Sequence, residues 1–209
     1  MRRYFHKELE DLRSSLILIG EKASNAAREA TEGFLGSDID RVESALVLDD
    51  EIDNLETEIA RSSVRYITLR SPVSSDVRLI FVAIKASHDF ERIGDEAHSI
   101  AKKARSILSR EGRAQETGNV RQMSEIALSM VRDAITCFVD EDAAQAEAVI
   151  ARDKEVDRLN LENFERIAAA EGPDTPSTAT KIETLFVSKS LERIADHAKN
   201  LSDEVIYLL

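Results

Sequence analysis

Tryptophan is absent from this chain of 209 residues, and glycine (7), proline (3) and aromatic residues (5%) are scarce. Strands draw on aromatic and β-branched residues, whereas the Ala, Leu, Glu, Lys and Arg that are abundant here favour helices. The composition therefore predicts an all-α protein. Hydrophobic periodicity and the few breakers predict six long helices, at about 4–35, 38–69, 75–110, 119–139, 142–170 and 177–209.

Long apolar runs and paired cysteines are also missing. The single cysteine, Cys137, excludes an internal disulfide and suits a reducing compartment. The longest apolar run, at 79–84, is far shorter than the roughly 20 residues that span a bilayer, so we expect no membrane insertion. The N-terminal MRRYFHKELEDL lacks the apolar centre of a signal peptide. We therefore expect a cytoplasmic protein.

Positive charge is in short supply, since 28 lysines and arginines stand against 40 aspartates and glutamates, a net charge of −12. Phosphate backbones repel such a chain, so we expect no nucleic-acid partner. The acidity favours cation binding or docking on a basic partner surface. The motifs GxGxxG, Walker A, GxSxG and HExxH do not occur, which disfavours a nucleotide-dependent enzyme.

What the chain does contain is an internal duplication. Segment 27–56 aligns with 131–160 at a shift of 104 residues. The stretch DFERIGDEA at 89–97 aligns with SLERIADHA at 190–198 at a shift of 101. One helix triplet written twice is the simplest explanation.

Each copy is predicted to form a three-helix bundle of antiparallel helices, the first over residues 1–113 and the second over 114–209. Apolar residues in the third helix of each copy recur at spacings of three and four, as in a bundle seam. The two seams are Phe90, Ile93, Ala97, Ile100, Ala104 and Ile107, and Leu191, Ile194, Ala198, Leu201, Val205 and Leu208. We interpret both seams as core.

Acidic residues flank the seams in pairs four residues apart, a spacing that puts both side chains on one helix face. The second helix of each copy has a DxxxD pair and the third an ExxxD pair. The eight residues are Asp49, Asp53, Glu91 and Asp95 in the first copy, and Asp153, Asp157, Glu192 and Asp196 in the second. A single pair of this kind usually lies on a solvated helix face and has no further role. Here, however, both copies have the pairs at equivalent positions although the residues between them have diverged.

These acidic pairs predict metal sites. Antiparallel packing of the second and third helices would bring two pairs together, and facing carboxylates repel unless they are protonated or bridged by cations. Oxygen ligands suit Mg²⁺, Ca²⁺, Mn²⁺ or ferric iron, and Zn²⁺ is a further candidate. Because a carboxylate can bridge two metal ions, a multinuclear cluster is feasible. His98 could join the first cluster, but Lys199 stands at its position in the second copy. His88 and His6 are interpreted as surface residues.

The stretches ERIGDEAHSIAKKA (91–104) and LERIADHAKNLSDEVIYL (191–208) resemble the signature helices of the PhoU family of phosphate-uptake regulators. The resemblance spans nearly the whole chain and implies two tandem three-helix bundles with multinuclear clusters, usually iron or zinc. Carried onto this sequence, the ligands would be Asp49, Asp53, Glu91 and Asp95 for one cluster, and Asp153, Asp157, Glu192 and Asp196 for the other.

The same resemblance implies a cytoplasmic regulator that is not an enzyme. Such a protein acts as an adaptor between the ATPase subunit of a phosphate ABC transporter and a phosphate-sensing histidine kinase. It is a negative regulator, since it helps keep the phosphate-starvation response off when phosphate is ample. The resemblance leaves a homodimer open.

An oxidase or metal-storage bundle of the ferritin-like kind is the alternative hypothesis. Those carboxylate-bridged di-metal proteins place Glu-x-x-His motifs from two helices inside a four-helix core. No such pair recurs here, and the related Asp95-x-x-His98 occurs in one copy only. A helical bundle without any metal is the third hypothesis.

Overall fold

The computed structural model describes residues 2–114, 118–169 and 175–209, with side chains from residue 7 onward. These residues form six α-helices and no β-strand, so the all-α prediction is confirmed. The helices are α1 (Arg2–Gly36), α2 (Ile39–Arg70), α3 (Ser74–Glu111), α4 (Val120–Asp140), α5 (Ala143–Ala169) and α6 (Thr178–Leu208). Described helix limits lie within two residues of those predicted. Position 170, the predicted end of the fifth helix, and the side chain of His6 lie outside this description.

The helices pack as two bundles of three. α1, α2 and α3 contact one another, and so do α4, α5 and α6. The bundles meet mainly where α3 packs on α6, with a smaller contact between α1 and α4. The two central helices, α3 and α6, carry the ExxxD pairs. α3 also packs on α2, and α6 on α5, so each ExxxD pair lies on a helix that contacts the helix with the DxxxD pair.

The seams predicted for α3 and α6 lie in the core. All six seam residues of α3 are buried, and so are five of the six in α6, Leu208 being partly exposed. Each fully buried Leu or Ile side chain contributes about 1.5–3 kcal/mol, which exceeds the few tenths that an acidic pair on one helix costs. No helix among the described residues has an apolar stretch long enough to cross a bilayer.

The connection between the first two helices of each bundle has the same structure in both copies. Ser37 and Glu141, which lie 104 residues apart, both adopt the left-handed conformation with φ 55°. The next residues, Asp38 and Asp142, accept hydrogen bonds from backbone N–H groups in the first turns of α2 and α5. Such N-caps satisfy donors that have no partner inside the helix. The duplication therefore extends to backbone geometry.

One buried polar side chain links the three helices of the second bundle. Asn163 on α5 is fully buried, whereas the first copy has Ile59 at the equivalent position. Asn163 Oδ1 accepts a hydrogen bond from the Asn119 N–H before α4 (2.6 Å), and its Nδ2 donates to Ser188 Oγ on α6 (3.2 Å). A buried amide is tolerated in a core because such bonds replace those to water.

Replacing Asn163 with alanine should lower the free energy of unfolding by roughly 2–3 kcal/mol, because two hydrogen bonds are lost and the partly buried Asn119 N–H loses its acceptor. Urea denaturation followed by circular dichroism measures the change. Asn54→Ala, at an exposed position on α2, is the matched control and should stay within about 0.5 kcal/mol of wild type. Equal stability of the two variants would contradict the role given to Asn163.

Candidate metal centre

The first acidic cluster lies where α2 and α3 approach closely. Ile52 on α2 packs against Gly94 on α3, where an added Cβ would lie only 3.0 Å from Ile52 Cδ1. On each helix an acidic pair stands three residues before and one residue after this contact: Asp49 and Asp53 on α2, Glu91 and Asp95 on α3. The absence of a side chain at Gly94 therefore brings the two pairs toward each other.

The four predicted residues of the first cluster influence one another electrostatically. Burial raises the pKa of Asp49, and the negative charge of Asp95 adds to this rise while His98 opposes it. Burial, Asp49 and Asp95 raise the pKa of Asp53. Burial and then Asp95 raise the pKa of Glu91. These carboxylates are thus held together with less water and positive charge than their ionised forms require.

Two buried atoms of this cluster make no hydrogen bond. Glu91 Oε2 accepts none, although Arg92 Nε lies at 3.3 Å and His88 Nδ1 at 3.7 Å. His98 Nδ1 lies 2.8 Å from Asp49 Oδ2, but at an angle unsuited to a hydrogen bond. A carboxylate oxygen and an imidazole nitrogen that make no hydrogen bond are suitable ligands for a zinc or iron ion.

His88 also belongs to this cluster. Its exposure agrees with the surface interpretation, but that interpretation misses its contacts, since His88 Nδ1 lies 3.2 Å from Glu56 Oε1. The potential ligand atoms of Glu56, His88 and Glu91 all lie within 4.8 Å of one another, close enough to share an ion. A sequence signal for His88 exists, because it precedes Glu91 by one helical turn. Glu56 joins only through the packing of α2 on α3.

The second cluster surrounds a lysine. Lys199 Nζ on α6 donates to Asp153 Oδ2 on α5 and to Asp196 Oδ1 on its own helix, both at 3.0 Å. These two hydrogen bonds raise the pKa of Lys199. Burial, followed by the charges of Asp153 and Glu192, raises the pKa of Asp157. The charges of the other three predicted acidic residues act on Asp157, and Glu192 Oε2 is buried without a hydrogen bond. An ammonium group, however, already lies between Asp153 and Asp196.

Two residues of the α6 signature contact the other bundle. Arg193 Nη1 lies 2.9 Å from Glu96 Oε1 on α3, and His197 Nδ1 lies 2.9 Å from Asp89 Oδ1 on the same helix. These polar contacts lie at the α3–α6 interface. The signature stretch of α6 therefore serves both the acidic cluster and the junction between bundles.

A family model for the PhoU domain matches this chain twice, at residues 16–104 and 120–205. The chain belongs to the PhoU family. Each matched segment contains one complete acidic cluster, so the repeated PhoU domain and the repeated set of four carboxylates coincide.

Two curated relatives extend the similarity over almost the whole chain. A phosphate-specific transport system accessory protein PhoU homolog from Pseudomonas putida is 33% identical over 98% of this chain and 80% of its own length. The PhoU homolog of the same description from Aquifex aeolicus is 36% identical over 97% of this chain and 91% of its own length.

Two solved PhoU structures have the same fold. The crystal structure of PhoU from Pseudomonas aeruginosa matches with a TM-score of 0.91 at 32% identity, covering 98% of both chains. The phosphate transport system regulatory protein PhoU from Streptococcus pneumoniae matches with a TM-score of 0.88 at 25% identity, covering 98% of this chain and 96% of its own. The PhoU resemblance of the sequence is thereby confirmed.

In the metal-free protein, Glu91→Gln should raise the free energy of unfolding near neutral pH, because burial and Asp95 disfavour the charge that the amide removes. A raised pKa in the folded state means that stability is lost as pH rises from the unfolded-state pKa through the folded-state pKa. The gain in the free energy of unfolding of Glu91→Gln over wild type should therefore reach its maximum above the folded-state pKa. It should disappear at acidic pH, where the Glu91 carboxyl is protonated in both states.

Chemical denaturation in the presence of a chelator, repeated from about pH 4 to about pH 7.5, measures this difference. Glu125→Gln, at an exposed position on α4, controls for the removal of one charge from an acidic protein. A Glu91→Gln protein that is less stable than wild type at neutral pH would show that the ion pair with Arg92 outweighs burial.

Proposed function

We propose that this PhoU-family chain is a metal-binding cytoplasmic regulator of phosphate uptake and phosphate-starvation signalling, and that it is not an enzyme. The observation that carries the proposal is the extent of its similarity to named phosphate transport accessory and regulatory proteins, over 97–98% of the chain. This similarity includes both bundles and both acidic clusters. It therefore supports a shared role of the whole molecule.

Metal ions would neutralise carboxylates that the fold forces together. The ligands of the first cluster would be Asp49, Asp53, Glu91 and Asp95, and those of the second Asp153, Asp157, Glu192 and Asp196. Glu91 Oε2 and Glu192 Oε2 are both buried without a hydrogen bond. Support is greatest for the first cluster, where three of the four carboxylates have raised pKa values. Histidines beside these acids favour zinc or iron over Mg²⁺ and Ca²⁺, which prefer oxygen ligands alone.

As an adaptor, the chain would contact the ATPase subunit of a phosphate ABC transporter and a phosphate-sensing histidine kinase. It would act as a negative regulator that keeps the starvation response off while phosphate is ample. The net charge of −12 supports docking on basic partner surfaces. Attraction of this kind speeds encounter and weakens as salt is added.

Zn²⁺ or Fe²⁺ should stabilise the metal-free protein, because an ion that binds only the folded chain adds about 2.7 kcal/mol at a hundredfold excess over its Kd. The double variant Asp49→Asn/Glu91→Gln should lose most of this gain. Thermal denaturation with and without metal, combined with elemental analysis of dialysed protein, measures both effects. Asp203→Asn/Glu125→Gln, at two exposed positions, is the matched control. Equal metal content in the Asp49/Glu91 variant and wild type would remove the first cluster from the proposal.

Disruption of the gene in its host should switch the phosphate-starvation response on in phosphate-rich medium, because the proposed restraint is lost. A tagged chain should restore repression and retain the transporter ATPase subunit and the kinase in affinity purification, less at high salt than at low. If neither protein is retained at physiological salt and repression does not depend on the chain, the adaptor role is wrong. Iron-dependent oxygen consumption by the purified protein would instead support the oxidase alternative.

A further inference from the structure

We propose that the two acidic clusters have different occupants: the first binds a transition-metal ion with the help of histidine, whereas the second is closed by two lysines and retains none. This inference rests on the proposed metal-binding function and confines it to one repeat. It starts from two exchanges between the copies. At the shift of 101 residues, His88 corresponds to Lys189 and His98 corresponds to Lys199.

Both histidines of the first copy lie against acidic residues of α2. His98 Nδ1 is 2.8 Å from Asp49 Oδ2, and His88 Nδ1 is 3.2 Å from Glu56 Oε1. Glu91 Oε2, which makes no hydrogen bond, lies 3.7 Å from His88 Nδ1. A neutral imidazole has a nitrogen lone pair that a metal ion can accept. The first cluster therefore offers nitrogen and oxygen ligands together, a combination that suits zinc or iron.

Both lysines of the second copy already pair with the equivalent carboxylates. Lys199 Nζ donates hydrogen bonds to Asp153 Oδ2 and Asp196 Oδ1, both at 3.0 Å. Lys189 Nζ lies 2.6 Å from Glu192 Oε2, an ion pair in which that buried oxygen makes no hydrogen bond. An ammonium group has three donors and no lone pair, so it cannot ligate a metal. It supplies instead the positive charge that an ion would bring.

A third exchange removes a carboxylate from the second cluster. Glu56 corresponds to Asn160 at the shift of 104 residues, and Asn160 Oδ1 accepts a hydrogen bond from Ser188 Oγ (2.8 Å). At these three positions the second cluster thus has one carboxylate fewer and two ammonium groups more than the first. The exchange of Lys102 for the exposed Asp203 offsets part of this difference. The mutual repulsion that favours cation binding is correspondingly smaller.

Entry of an ion into the second cluster would also disrupt an existing, partly buried ion pair. The Asp153 side chain is 10% exposed and its Oδ2 is bonded to Lys199. An incoming cation would be repelled by the Lys199 ammonium group, or would have to displace it from Asp153 before it could bind there. The second cluster is therefore a link between α5 and α6 that needs no metal.

Zinc retention by full-length variants tests the proposal. Metal-free proteins are loaded with excess ZnCl₂, desalted, and measured for zinc per chain and for thermal denaturation with and without EDTA. His88→Lys/His98→Lys gives the first cluster the pattern of the second, and Lys189→His/Lys199→His does the reverse. Lys154→His, at an exposed position on α5, controls for the addition of a histidine.

We expect wild type to retain zinc, the variant with two new lysines to bind it at least about tenfold more weakly, and the variant with two new histidines to retain more zinc per chain. Amide substitutions provide a test that changes side-chain shape very little. Glu91→Gln/Asp95→Asn should lower zinc retention, whereas Glu192→Gln/Asp196→Asn should leave it unchanged.

The outcomes separate this inference from the function on which it rests. If the two amide variants lose zinc equally, metal binding stands and the difference between the clusters is refuted. If wild type retains no zinc while circular dichroism shows that it is folded, the metal-binding function and this inference both fail.

Discussion

Apolar packing between neighbouring helices holds carboxylates of like charge together. Ile52 and Gly94 determine how closely α2 and α3 approach, and the acidic pairs on either side cannot separate unless this contact opens. Burial of one such apolar side chain, about 1.5–3 kcal/mol, outweighs the repulsion of an exposed acidic pair. The raised pKa values of Asp49 and Asp53 are the electrostatic consequence. Affinity for cations follows from this constraint.

The same three-helix arrangement occurs twice in this chain, and the two copies differ both in the core and beside it. The left-handed residues Ser37 and Glu141 are retained between the first two helices of each copy, as are the buried seams and the acidic pairs. Other residues differ both beside the bundles and inside them, since Lys199 stands in place of His98 and the buried Asn163 in place of the buried Ile59. Both exchanges add polar links within the second bundle.

Much of the fold could be predicted from the sequence because its signals are local. Apolar spacings of three and four, scarce breakers and a repeat of about one hundred residues are visible without tertiary structure, and they predicted six helices closely. The i,i+4 spacing also predicted which carboxylates share a helix face, since helix geometry alone decides this. Contacts between different helices were harder to predict, because no local pattern indicates them. The contact of Glu56 on α2 with His88 on α3 is an example.

The amino-acid sequence by itself determined the helices, their duplication and the four acidic pairs, because each depends on residues close together in the chain. Tertiary structure alone decided which charges meet. Lys199 reaches Asp153 across 46 residues, and His98 reaches Asp49 across the α2–α3 boundary. These contacts depend on the rotation and axial position of one helix against the next, which the periodicity of either helix does not specify.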